Sequence, residues 1–193
     1  MAKLKKSNGP FERLTDLLRE SPPVPVDQPF DAAALEPLYA LARAHDRRVV
    51  AFLETLATLN TSFHLYDIEM FPAQLLRGKR GEAWNAGASV VTEDDVCLAK
   101  NGAGDIYVWH APSGKVRFLQ HDKGWAVDGT FRNVDEFVEH AMSQVVELLE
   151  EDSLDDADDA MIAGLRFALS VAGDESLDDD ARAKLVDLRV MKA

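Results

Sequence analysis

Hydrophobic positions recur at helical spacing through the first sixty residues, at strand spacing in the middle of the chain, and at helical spacing again from Asn133. After ten residues with no such pattern, Phe11, Leu14, Leu17 and Leu18 share one face of a short predicted helix from Pro10 to Glu20. That helix runs into Ser21-Pro22-Pro23-Val24-Pro25-Val26-Asp27-Gln28-Pro29, where four prolines cannot continue a helix and favour extended polyproline chain. A second helical region covers residues 31–59. Leu38, Leu41, His45, Val49, Phe52 (or Leu53) and Leu56 follow one another there at steps of three and four, and Pro37 suits a first turn. A break near Asp46 divides the region into two helices. His45 falls on the apolar stripe and is expected as a hydrogen-bonded core histidine rather than a ligand.

The period changes after Asn60. Residues 63–70 and 88–99 are short β-rich runs, separated by a segment that contains the basic loop Gly78-Lys79-Arg80-Gly81. Residues 105–110 (Asp-Ile-Tyr-Val-Trp-His) and 115–121 (Lys-Val-Arg-Phe-Leu-Gln-His) are two strand-like runs joined by Ala111-Pro112-Ser113-Gly114. Proline and glycine in that joint predict a tight hairpin, with Asn101-Gly102-Ala103-Gly104 as the preceding turn. From Asn133 the chain reads as helix again: Asn133-Val134-Asp135-Glu136 matches a capping box with asparagine at the cap. Phe137, Val138, Ala141, Val145, Leu148 and Leu149 form its stripe. Two more helices are expected near residues 156–171 and 176–190. The fold class is α+β, a mostly antiparallel sheet flanked by helices, with an acidic C-terminal helical extension. The predicted organisation is an N-terminal helix and proline-rich strap (1–30), an α+β domain (31–149) and the acidic extension (150–193).

Composition adds a strong acidic bias. The 193 residues hold 21 Lys and Arg against 34 Asp and Glu, a formal charge of −13. Such a chain repels phosphate backbones, so general nucleic-acid binding is not expected. Acidity of this size serves solubility, or it steers a basic partner toward the surface. The charge is uneven: residues 150–180 hold 12 acids against the single base Arg166. No apolar run is long enough to span a bilayer, and no apolar stretch follows Lys3, Lys5 and Lys6 as a secretory leader would need. With one cysteine, Cys97, there is no internal disulfide. A cytoplasmic location is expected.

Motifs for catalysis fail on inspection. Gly102-Ala103-Gly104 lacks the third glycine of a dinucleotide fingerprint, since Tyr107 holds that place. Gly114-Lys115 is followed by Val116 instead of the Ser or Thr of a phosphate loop. The hairpin sets His110 near Lys115 and His121 near Gly104, roughly 20 Å apart at 3.3 Å per residue, so the two imidazoles cannot share an ion. His121 is placed to make an ordinary ion pair with Asp105. The aspartates of residues 152–159 lack calcium-loop spacing. Cys97 sits inside Val96-Cys97-Leu98, where a thiol packs as a small hydrophobe. No enzyme, metal or cofactor is implied. Glu93, Asp94 and Asp95 read as a charged turn or as a partner contact. Trp109 is expected in the core, while Trp84 and Trp125, set among Gly, Asn and Asp, are either core or surface anchors.

The order of parts then carries a family resemblance. Helices end at Asn60; Trp84-Asn85 and an acidic strand follow, then Gly-Asp-Ile-Tyr-Val-Trp over residues 104–109. Ser-Gly-Lys-Val (113–116), His121-Asp122 and Phe131 through Phe137 at the mouth of a helix complete it. This order resembles the SUKH superfamily, which includes bacterial immunity proteins and fungal cell-wall regulators, over about residues 31–145. The family often places Gly-Gly after the asparagine, where this chain has Thr61-Ser62. The resemblance implies an α+β, non-enzymatic binding protein, in many bacterial members the antitoxic partner of a polymorphic toxin. The expectation is a protein that binds and neutralises a cognate toxin domain, the acidic charge suiting a basic, nuclease-like one. Trp84, Glu93, Asp94, Asp95, Asp105, Asp122 and Trp125 are its candidate contacts. The alternative is a regulatory or scaffold module whose acidic helices dock a cellular protein. A neighbouring gene for a large multidomain secreted protein discriminates in favour of the toxin. Oligomeric state is left open.

Overall fold

The computed structural model describes residues 9–20, 32–59, 63–65, 67–70, 91–150 and position 183. Gly78–Gly81, Trp84 and the predicted acidic helices of the extension lie outside the described residues, as do the polyproline strap and its four prolines. The elements in chain order are α1 (Pro10–Glu20), a 3-10 turn (Ala32–Leu35), α2 (Glu36–His45), α3 (Arg47–Leu59), β1 (Phe63–Leu65), β2 (Ile68–Met70), β3 (Asp95–Lys100), β4 (Ile106–His110), β5 (Lys115–Gln120), β6 (Ala126–Phe131) and α4 (Val134–Glu150). The fold is α+β. Among the described residues six strands form one antiparallel sheet in sequence order, β1 to β6.

Helix boundaries follow local chemistry. Pro37 lies in the first turn of α2, and the helix stops where Asp46 turns extended (φ −147, ψ 110). The Asp46 carboxylate then accepts the Arg48 backbone N–H at 2.9 Å and caps α3. This break overturns the expectation for His45. It is the last residue of α2 and exposed, because α2 and α3 have separate axes and the stripe from Leu38 does not continue into Val49 through it. Asn133 caps α4 as the sequence predicts, its side-chain oxygen accepting the Glu136 N–H at 3.0 Å. Glu136 turns back to the N–H of Arg132 rather than to that of Asn133, which varies the reciprocal half of the box.

Among the described residues the core is one cluster. Phe11, Leu14 and Leu18 of α1 are fully buried in it, together with Phe52 and Leu56 of α3 and Phe137 of α4. The rings of Phe11 and Phe52 meet at 4.9 Å. One carboxylate ties three helices: Asp135 of α4 accepts the Phe11 N–H of α1 at 3.2 Å and the Arg48 guanidinium of α3 at 2.5 Å. Helix α1 therefore packs into the same core as α3 and α4.

The sheet has two distinct faces, fixed by the register. Trp109 pairs with Val96 and Val116, and Tyr107 with Ala99 and Phe118, so these share one face. Tyr107 packs there on Phe137 of α4 with centroids 5.0 Å apart. Cys97, Val108, Ile106 and Leu119 share the other face and are also buried. Leu98 is the extra residue of a β-bulge, which is why Val96 and Ala99 face the same way despite odd spacing. Strand β6 is absent from the hydrophobic pattern. Its residues are mostly exposed, and a second bulge at Asp128 breaks its alternation, since Phe118 pairs with Gly129 and Leu119 with Val127.

Candidate partner-binding surface

The β4–β5 hairpin carries matching carboxylate–imidazole pairs at its two ends. At one end Asp95 opens β3 opposite His110, which closes β4. Its carboxylate is fully buried and receives four donors. The Thr92 N–H and hydroxyl donate to one oxygen, both at 2.8 Å. His110 Nδ1 (2.9 Å) and the Arg117 guanidinium (2.6 Å) meet the other. Burial alone raises the pKa of such a group. The hydrogen bonds from Thr92 and His110 and the charge of Arg117 outweigh it and hold Asp95 below the usual carboxylate value. At the other end Asp105 accepts the His121 N–H at 3.0 Å and His121 Nδ1 at 2.7 Å, with Asn101 closing the turn onto it. Again burial raises and these donors lower, and the net position is below the usual value.

Both pairs are structural in form. No hydroxyl or thiol among the described residues hydrogen-bonds either imidazole, and Cys97 is buried, its thiol pushed up to about 12 by desolvation. A group held so far above neutrality stays protonated and unreactive at pH 7. Among the described residues no three His, Cys, Asp or Glu side chains gather to hold a metal ion, and no helix is long and apolar enough to cross a membrane.

The predicted contacts therefore divide. Asp95 and Asp105 are corrected: expected on a partner-facing surface, they are 0% and 7% exposed, with their oxygens occupied by this chain's own donors. A carboxylate before a strand reads as a charged turn in sequence, but the first strand residue points into the sheet. Glu93 and Asp94 remain exposed in the turn before β3. Asp122 is exposed in the β5–β6 turn, at the opposite end of the hairpin, roughly 17 Å away at 3.3 Å per strand residue. Trp84 lies outside the described residues.

Trp125 sits beside Asp122 and is half-buried, its ring against the core edge and 6.1 Å from His121. The turn is closed by the Trp125 N–H donating to Gln120 O at 2.8 Å. Two successive residues, Gly124 (φ 67) and Trp125 (φ 65), take the left-handed conformation there. Glycine does so freely; for tryptophan it is strained. Trp125 is the non-glycine residue with positive φ among the described residues. Exposed Asp67 adjoins this end, its carboxylate accepting the Gly102 N–H at 3.2 Å. Sequence reasoning singled out Trp125 and Asp122 by composition; the strain at Trp125 has no sequence signal beyond the preceding Gly124.

Comparison with known proteins gives no match: no protein family, no curated protein and no solved structure matches this chain.

Proposed function

We propose that this chain is a non-enzymatic binding protein of the immunity type, which occludes a basic toxin domain and acts in the cytoplasm. The observation that carries the reading is Trp125. A tryptophan held in a backbone conformation natural to glycine, next to exposed Asp122, is strain retained at a surface turn, and such strain concentrates at sites of function. An aromatic anchor beside an exposed acid is an arrangement in which the ring supplies affinity and the acid supplies association rate. The net charge of −13 adds long-range steering toward a basic target such as a nuclease groove. The order of motifs that resembles the SUKH superfamily supports the same reading, and Glu93 and Asp94 provide a second, separate acidic edge.

The test is a tagged pull-down from the native lysate at low and high salt, read by mass spectrometry. Wild type is compared with Asp122→Lys and Trp125→Asn. A single stoichiometric basic partner, encoded beside this gene, lost at high salt and depleted by both substitutions, is the expected result. Housekeeping proteins, or equal recovery by all three forms, would overturn the toxin reading and leave the regulatory module in its place.

A further inference from the structure

Strands β3 and β4 are buried on both faces. An antiparallel sheet with one face in water alternates apolar and polar side chains, yet Val96-Cys97-Leu98-Ala99 and Ile106-Tyr107-Val108-Trp109 are buried without interruption. The cover of the first face is in view. Phe137 of α4 lies on Tyr107 and 5.8 Å from Phe131, and Asp135 joins α1 and α3 to α4. The second face carries Cys97, Ile106, Val108 and Leu119, each 2% exposed or less. Helix α4, on the Tyr107 side, cannot shield them. The ion pairs seen on this second face, Lys100 with Glu69 and Asp95 with His110 and Arg117, lie within the sheet. The shield also has a limit. Val127 of β6 pairs with Leu119 on the same face and is 52% exposed, so the covering layer reaches β5 and stops short of β6.

Two apolar stretches outside the described residues compete for that place, 71–90 and 151–193. Charge separates them. On this face Lys100, Lys115 and Arg117 outnumber Glu69 and Asp95, a positive excess in a chain of net charge −13. Residues 71–90 bring Arg77, Lys79 and Arg80 against Glu82 and would add like charge. Residues 150–180 bring 12 acids against the single base Arg166. The apolar pattern agrees. Met161, Ile162, Leu165 and Leu169 recur at helical spacing, and Leu177, Ala181, Leu185 and Leu188 do so again. Ala183, on the side opposite that second stripe, is helical and exposed. A helix over residues 156–171 would be about 24 Å long, matching a six-residue strand of about 20 Å.

We infer that the acidic C-terminal stretch, residues 151–193, docks on this second face of the sheet, its apolar stripes over Cys97, Ile106, Val108 and Leu119 and its acids toward Lys115 and Arg117. The stretch is then a layer of the domain and not a free arm that recruits a partner. The inference does not rest on the reading of Trp125.

Cys97, the single thiol of the chain, reports on this face. The full chain is reacted with an aromatic disulfide reagent as wild type, as Leu165→Glu with Leu169→Glu, and as Leu75→Glu with Leu76→Glu. The Leu165 and Leu169 pair should react at least about tenfold faster than wild type, because local opening of the cover no longer limits access. The Leu75 and Leu76 pair should keep the wild-type rate. A wild-type rate in the first pair, or equal or greater acceleration in the second, would overturn the assignment. Carbodiimide cross-linking of the wild-type chain checks it without any substitution. Lys115 should join an acid of residues 151–180 within the monomer. Absence of that link, or its appearance only between two copies, would refute the docking.

Discussion

Asp95 shows how a single carboxylate organises one end of the sheet. Its two oxygens collect donors from the turn before β3, from β4 and from β5, so that removal strands His110 and Arg117 beside a buried void. Replacing Asp95 by Ala should cost about 3 kcal/mol in urea denaturation, the lower part of the range for breaking a buried pair because the Arg117 guanidinium and the His110 ring keep some solvent. A loss below about 1 kcal/mol would show that the cluster is incidental. The pH dependence has a definite sign. Asp95 and Asp105 both have pKa values below the ordinary carboxylate value in the folded chain, so their contribution is complete above the unfolded value of about 3.9 and is lost as pH falls through the folded value. Thermal melts should thus be flat in this respect at neutral pH and fall steeply in acid. Asp105→Asn should be less stable than wild type at pH 7, with the gap closing toward pH 2; a constant gap would refute the linkage.

At the scale of elements, turns and edges decide more than propensity does. Gly114 closes the β4–β5 hairpin with φ 67, and a Cβ there meets nothing within 4 Å. Gly114→Ala should therefore cost about 1 kcal/mol from backbone strain alone, measured by chemical denaturation, with the hairpin register intact. Trp125 tests the converse. Asparagine tolerates the left-handed conformation, so Trp125→Asn exchanges strain relief against lost packing; stability should change by less than about 1 kcal/mol. Its effect on partner recovery is then a readout of contact rather than of folding. Helix α1, preceded by a patternless terminus and followed by prolines, reads in sequence as an appendage. Its Phe11 is fully buried against Phe52, and Phe11→Ala should lose about 3–5 kcal/mol of global stability in a single transition. A separate early transition for α1 would restore the appendage.

At the scale of the whole molecule, one core among the described residues together with a net charge of −13 means that association and stability respond differently to salt. Partner association should slow as ionic strength rises while the unfolding midpoint moves little, because the Asp95 and Asp105 carboxylates are buried and exposed ion pairs contribute little to stability. Stopped-flow association against salt checks this, and a rate independent of salt would remove the steering role of the charge. The local sequence alone determined α1, the α2–α3 break at Asp46, the β4–β5 hairpin, the cap at Asn133, and the burial of Trp109 and Cys97, since each depends on neighbours within a few residues. It likewise placed His121 against Asp105, because hairpin geometry converts sequence distance into spatial distance. Strand β6 was not legible, because an edge strand has little apolar face to declare and the bulge at Asp128 cancels its alternation. His45 was misplaced because periodicity assumes one helix axis where the chain has two. Only the tertiary structure decided which acids are surface and which are structural: Asp94 and Asp95 are adjacent and chemically alike, and the pleat of β3 alone turns one to solvent and the other onto His110 and Arg117.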